Sequence, residues 1–498
     1  MWIFYRFIIC SLFHKAVGQF DPYFADGRTG IVHLVEWRYE DIDSECTNYL
    51  GPNGFGAVQI SPVNEVRVME PRSWQERYQP VSYRMVGRSG TEQQLRKMIS
   101  NCNDAGVRVF VEVVLNNMAD GSGRIMGTGG SYAIPDSLDY PGVPFTSTDF
   151  NYGCSIVEDD DIHEIRTCQL RGLPDLNQSL ARVRQRIVDF LNQLIAMGVA
   201  GFYIDSAKYM WPHDLMTIYS KLGNLSVSAG FEAGSRPFIY QDVEDLSPDG
   251  IRKREYTPYG MVSEYRFTYD MADIMFKRKP FHKMVFIGTK LGYVPREKSI
   301  VFLDTPSLQR FSEQEDDPKV VSFKHRKLYT MALVFMMTHR YGMPRFMSSY
   351  KFKQFDEGPP VDTRGNIASI VLDEFGQCTG EWVCEHRWPI VRNIMKFRMD
   401  VAGEAVRSWV DNGQNQIAFC RGKVGFVAIN AEISLSMKAN LYTCLEPGVY
   451  CDLATGLSDN TECTGRAVKV GEDGRADIMI SSKDDEPFLV LLANQKLP

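Results

Sequence analysis

The chain has 498 residues, 44% of them hydrophobic and 23% charged, and a formal net charge of -7. That length exceeds one simple domain and can bury a large core. The acidic balance excludes the basic footprint of a nucleic-acid binder, and with no uninterrupted apolar run of about 18 residues a membrane span is not expected.

The N-terminus, MWIFYRFIICSLFHKAVGQF, reads as a secretory signal over residues 1–18. Arg6 precedes the apolar run Phe7 to Phe13, and Ala16 and Gly18 are small residues suited to a cleavage site that leaves Gln19 first. A buried N-terminal strand or helix is the alternative. Cleavage removes Cys10 and leaves ten cysteines, several of them close together. An even count with short spacings predicts disulfides in an oxidising, extracellular compartment. A zinc site is the rival reading, but neither a CxxC pair nor clustered histidines accompany them.

Six apolar runs then read as buried strands: IVHLVEW (31–37), FGAVQIS (55–61), VRVFVEVVLN (107–116), VAGFYID (199–205), PFIYQDV (237–243) and SIVFLD (299–304). Between the third and fourth, VRQRIVDFLNQLIAMG places Ile187, Leu191, Leu194 and Ile195 on one helical face, and Gly198 stops the helix. Strands alternating with helices imply parallel βαβ units, and this many imply an α/β fold of the (β/α)8 TIM-barrel type. A doubly wound open sheet is the alternative, without a Gly-rich phosphate loop to support it. Residues 117–176, rich in Gly, Ser, Asp and Pro, are too long for a loop and read as a small inserted domain. The barrel then occupies 19–116 and 177–404. From 405 to 498, short segments such as QIAFC, GFVAIN and PFLVLLAN predict a separate antiparallel β domain.

The motifs DGRTGIVHLVEWRYEDI, GFGAVQISPVNE, WQERYQPVSYR, GFYIDSAKYMWP, FIYQDVEDL, MSSYKF, WVCEHRW and GVYCDL occur in this order. Through them the chain resembles the animal-type secreted α-amylases of glycoside hydrolase family 13 over nearly its whole length. The resemblance implies a barrel, a domain inserted after its third strand and a C-terminal β sandwich. It also implies retaining hydrolysis of α-1,4-glucans, which uses a carboxylate nucleophile and a protonated acid about 5–5.5 Å apart.

Carried over residue by residue, the resemblance makes Asp205 the nucleophile position and Asp242, where the family has glutamate, the general-acid position. For Asp242 a buried Asp paired to a neighbour is an equal alternative. In FLDTPSLQR, Asp304 matches a structural Asp, while Ser307 stands where the family has its third carboxylate. Tyr203 replaces an arginine that orients the nucleophile and binds chloride, and Thr305 replaces a second chloride ligand, leaving Arg345. Chloride is therefore not expected. Asn117 and Tyr209 stand at two sugar-contacting histidine positions, and FSEQEDDP replaces a Gly-rich loop. Trp74, Tyr78, Gln79 and Lys208 match glucan-contacting positions, with core packing the alternative for the aromatic pair.

A structural calcium carries over to Asn116, Asp175 and the carbonyls of Arg166 and Tyr209, an oxygen-only set that suits Ca²⁺. Four disulfides carry over as Cys46–Cys102, Cys154–Cys168, Cys378–Cys384 and Cys451–Cys463, which leaves Cys420 and Cys444 to pair. Asn177 and Asn224 lie in N-x-S sequons. The expectation is a secreted, monomeric protein of α-glucan metabolism or binding with lost or much reduced hydrolase activity, without nucleic-acid or membrane partners. A working amylase with atypical residues and a non-enzymatic interaction module are the alternatives.

Overall fold

A computed structural model describes residues 19–157, 160–247, 249–312, 317–458 and 462–498; the expected signal segment and Cys10 lie outside them. Eight parallel strands close a barrel: β1 Thr29–Leu34, β2 Phe55–Ile60, β3 Arg108–Val114, β4 Gly201–Asp205, β5 Phe238–Gln241, β6 Met261–Ser263, β7 Ser299–Val301 and β8 Met343–Ser348. Closure is direct, with Ile31 opposite Arg345 and Leu34 opposite Ser348. Strands run largely apolar because helices cover the outer face and side chains fill the inside.

The helix expected from VRQRIVDFLNQLIAMG spans Ala181–Ala196 and buries Ile187, Leu191, Leu194 and Ile195 against the barrel. Gly198, at φ 102°, makes the turn that follows it. Gly201 opens β4 where a Cβ would lie 2.4 Å from the Phe238 carbonyl oxygen, so only glycine lets β4 and β5 approach this closely. The first helix, Tyr39–Glu45, is tied to the far end of the chain by a buried cluster. Glu45 Oε1 accepts from His386 Nε2 and Arg387 Nε at 2.8 Å each, and Oε2 accepts from Arg387 Nη2 at 2.6 Å.

The insertion between β3 and β4 holds a short hairpin, Ile125–Met126 with Tyr132–Ala133, and the Cys154–Cys168 bridge. The C-terminal region is all β. Val406–Asp411, Gln416–Arg421, Gly425–Asn430 and Phe488–Leu492 form an antiparallel sheet, accompanied by two strand pairs. Its second apolar core packs Phe426, Ile478 and Leu491. All five expected disulfides are formed, including Cys420–Cys444. Among the described residues no helix is long and apolar enough to cross a membrane.

Candidate active site

The barrel interior beneath the C-terminal strand ends is polar, and the strands themselves put it there. Three strands each carry one polar residue inside an apolar run: His33 on β1, Gln59 on β2 and Glu112 on β3. Glu112 Oε2 lies 3.2 Å from His33 Nε2 and accepts from Gln59 Nε2 at 3.1 Å. The Gln59 carbonyl accepts from Tyr240 at 2.9 Å and from Arg345 Nη1 at 3.3 Å. Burial opposes ionisation of Glu112, but the His33 hydrogen bond and the charge of Arg345 hold its carboxyl below the usual range, while burial pushes the His33 imidazole itself down. Glu112 is thus a fixed anion at the base of the cleft.

Above it lies a cleft of about 460 Å³ that brings together Asp205, Asp242, Ser307, Trp74, Tyr78, Gln79, Lys208, Tyr209 and Arg345. Asp205 ends β4, and Ser206 follows it in the left-handed region at φ 53°. A non-glycine residue held there costs on the order of 1–3 kcal/mol, a form of strain that clusters at functional sites. The turn is pinned by Asp242 N–H donating to the Ile204 carbonyl at 3.0 Å and Lys208 N–H donating to the Asp242 carbonyl at 3.1 Å. The two carboxyls are therefore held by one local backbone network.

Of the two, Asp205 lacks a cation. The Asp205 carboxylate accepts from Ser206 Oγ at 2.9 Å and forms no ion pair among the described residues. Burial, reinforced by the negative charges of Glu112 and Asp242, pushes its carboxyl well above the usual range. Asp242 accepts from Tyr265 OH at 2.6 Å; burial raises its carboxyl, against the opposing effects of Tyr265 and Arg345. The Arg345 guanidinium stacks on Tyr203 at 4.9 Å and on Phe302 at 4.7 Å from the ring centroids. A phenol at position 203 offers a face for that guanidinium but no charge for Asp205.

FLDTPSLQR folds into a helix, Pro306–Ser312. Thr305 caps it, its Oγ1 accepting from the Leu308 N–H at 3.1 Å, and Pro306 fits the first helical turn. Ser307 Oγ lies 3.1 Å from Thr305 Oγ1, so the position carries a hydroxyl pair and no carboxylate. Asp304 is buried beneath, accepting from Gln309 Nε2 at 2.7 Å and Tyr329 OH at 3.3 Å. Residues 313–316 of the FSEQEDDP segment lie outside the described residues.

The aromatic pair is set edge to face, with Trp74 and Tyr78 centroids 5.7 Å apart. Trp74 is only 5% exposed, donates Nε1–H to the Phe355 carbonyl at 2.8 Å, and lies under Arg310. It is packed as core more than displayed as a platform; Tyr78 is the more open of the two. Gln79 is buried and 3.4 Å from Arg67 Nη1. Lys208 is occupied by Asp249 at 2.5 Å and Glu244 at 3.4 Å. Asn117 turns its amide to the Tyr78 carbonyl at 3.1 Å.

At the expected calcium position, Asn116 is fully buried beside the Asp175 carboxyl, yet its side-chain oxygen and nitrogen make no hydrogen bond of ordinary geometry. Tyr256 OH gathers the neighbouring pieces. It donates toward the Lys208 and Met210 carbonyls at 3.2 and 3.0 Å and accepts from Arg166 Nη2 at 3.1 Å, which places Arg166 and the Tyr209 backbone together. An orphaned amide oxygen beside a buried carboxyl fits a hard cation. Among the described residues no group of three or more His, Cys, Asp or Glu side chains could hold a metal ion, so such a site rests on amide and carbonyl oxygens.

Known proteins match this arrangement. The family model "Alpha amylase, C-terminal all-beta domain" matches residues 408–494. An alpha-amylase of Tenebrio molitor is 43% identical over 479 residues, covering 96% of this chain and 100% of that protein. An alpha-amylase-related protein of Drosophila sechellia is 40% identical over 490 residues, with 98% of each covered. The solved structure of a mutant alpha-amylase I from Eisenia fetida in complex with maltohexaose superposes with a TM-score of 0.89 at 34% identity, covering 96% of this chain and 99% of that one. With a closed eight-stranded barrel, a cleft over its C-terminal strand ends and relatives matched along nearly their full length, the chain belongs to the animal-type α-amylases of glycoside hydrolase family 13.

Proposed function

We propose that this protein is a secreted, calcium-stabilised α-amylase homologue whose cleft still accommodates α-1,4-glucan but whose hydrolytic chemistry is lost or much reduced. The observation that carries this reading is the uncompensated Asp205: its carboxyl has no cation beside it, because the guanidinium position is Tyr203 and Arg345 is stacked on that ring. Retaining hydrolysis needs the nucleophile ionised and the acid protonated; here burial drives both carboxyls toward the protonated form. Asp242 is one methylene shorter than the family glutamate, and a displacement of about 1 Å costs on the order of 10²-fold in rate. Ser307 cannot supply the charge of a third carboxylate.

Secretion is supported by five disulfides. Calcium, when bound, would be held by Asn116, Asp175 and the carbonyls of Arg166 and Tyr209, joining the insertion to the barrel. Glucan binding is suggested by the maltohexaose complex of the Eisenia fetida relative and by the half-buried Tyr78 on the cleft wall.

A second reading, slow hydrolysis by the remaining pair, is favoured by the common backbone network that holds Asp205 and Asp242. Purified protein assayed on soluble starch decides between them. The expected result is no release of reducing sugar above that of Asp205→Asn, with maltoheptaose binding detectable by calorimetry at millimolar concentration. Slow turnover that Asp205→Asn abolishes would favour the second reading, and turnover at the rate of an active α-amylase assayed alongside would overturn the proposal. Silence in both assays would remove glucan binding and leave a protein-interaction role.

A further inference from the structure

A second cavity, about 530 Å³, opens at the opposite end of the barrel, where β1, β6 and β8 begin at Thr29, Met261 and Met343. Its wall carries five arginines, Arg28, Arg296, Arg340, Arg398 and Arg421, against one acid, Glu297. Among the described residues none of the five is in an ion pair.

The two inner arginines have a structural role. Arg398 donates to the Met337, His339 and Gly342 carbonyls at 3.0, 3.3 and 3.2 Å. Arg421 donates to the carbonyls of Thr338, Val401 and Glu404. They cap the end of the helix Arg326–Thr338, where carbonyls lack intrahelical donors. Their donors are satisfied, but their charge is offset only in part, by Glu404 acting on Arg421. Burial, helped by the charge of Arg421, pushes Arg398 down to about 9, and burial with the charges of Arg340 and Arg296 pushes Arg421 down to about 10, so both remain cationic at neutral pH.

Of the outer three, Arg28 donates to the Ala105 carbonyl at 2.6 Å, but the exposed Arg296 and the half-buried Arg340 have no such partner. Arg296 and Arg340 make no side-chain hydrogen bond among the described residues, and Arg340 Nε is buried without a partner. Both add to the repulsion felt by Arg421. Clustering like charges over buried, unneutralised ones is unfavourable unless an anion joins them.

We propose that this basal cavity binds a phosphate group, gripped by Arg340 and Arg296 and supported from beneath by the charges of Arg398 and Arg421. Guanidinium forks match the oxygens of a phosphate, and a multivalent anion answers several cations at once where a halide answers one. Phe20, Phe24 and Met399 on the same wall leave room and apolar contact for the remainder of a small phosphate ester.

The test is calorimetric titration of the full chain with inorganic phosphate and with phenyl phosphate, at ionic strength fixed by sodium chloride. Saturable binding is expected, weakened about tenfold or more in Arg296→Gln/Arg340→Gln. Because neither side chain holds the fold together, that variant keeps its melting temperature in sodium chloride. Tighter binding of phenyl phosphate identifies an ester as the ligand, and equal binding identifies free phosphate; both support the site. Absence of saturable heat with either probe at 10 mM, or unchanged affinity in the double variant, overturns it.

Discussion

Asp304→Asn is expected to stabilise the protein, and increasingly so as pH rises. Burial, helped by the charge of Glu385, pushes the Asp304 carboxyl up to about 8 from an ordinary 3.8. With a folded value above the unfolded one, its contribution to stability is present in full below about pH 4 and is lost as pH rises toward 8. Over that window the unfolded chain ionises and the folded chain does not. Each pH unit costs about 1.4 kcal/mol, so between pH 5 and 8 the wild type loses about 4 kcal/mol through this one group, an upper figure because the chain relaxes around an ionised carboxylate. An unfolding entropy of about 2.1 cal/mol/K per residue gives roughly 1 kcal/mol per degree for a chain of this length. The melting-temperature advantage of Asp304→Asn should therefore widen by up to about 4 °C from pH 5 to pH 8. Glu385, pushed up to about 7, titrates in both proteins and cancels in the comparison. Differential scanning fluorimetry across that range is the assay. Parallel curves for the two proteins would refute the burial argument.

Glu45→Gln should lower stability by about 3–5 kcal/mol, because it leaves the buried Arg387 guanidinium without its carboxylate; a loss under 1 kcal/mol would show that water reaches the cluster. Asn116→Ala should remove most of the melting-temperature rise that calcium gives the wild type, whereas an unchanged rise would place the ion elsewhere. Tyr203→Arg/Asp242→Glu/Ser307→Asp should raise starch hydrolysis at least about 10²-fold over the wild type, since each change restores a charge or a reach. No gain in a folded triple variant would mean that the cleft has also lost its substrate path.

Periodicity made six of the eight barrel strands and the helix Ala181–Ala196 legible, because each is a run long enough to show its apolar face. The two strands that pattern reading missed explain themselves. Met261–Ser263 is three residues bounded by Gly260 and Glu264, whereas the equally short Ser299–Val301 runs on into the apolar Phe302 and Leu303; Met343–Ser348 carries Pro344 and Arg345 inside it. At the site, motif matching located Asp205, Asp242 and Ser307 but passed over His33, Gln59, Glu112 and Tyr265. A signal for the first three was present: a polar residue in the middle of an otherwise buried strand, three strands running. Tyr265 left none, because a tyrosine starting a helix does not announce that its hydroxyl will reach Asp242. The cap that Thr305 makes for Pro306–Ser312 follows from local rules, but its consequence for position 307 needed the fold.

The Tyr203–Arg345 stack also bears on how the cleft can change. Against the pattern that the resemblance implies, position 203 lacks a positive charge and position 307 a negative one, but the two are not equivalent to undo. An arginine at 203 would stand beside the uncompensated Asp205, whereas an aspartate at 307 adds a further carboxyl beside two already driven toward protonation. Of the two single steps, only the one at 307 runs uphill. The order of change is therefore constrained, with a charge at 203 coming before one at 307.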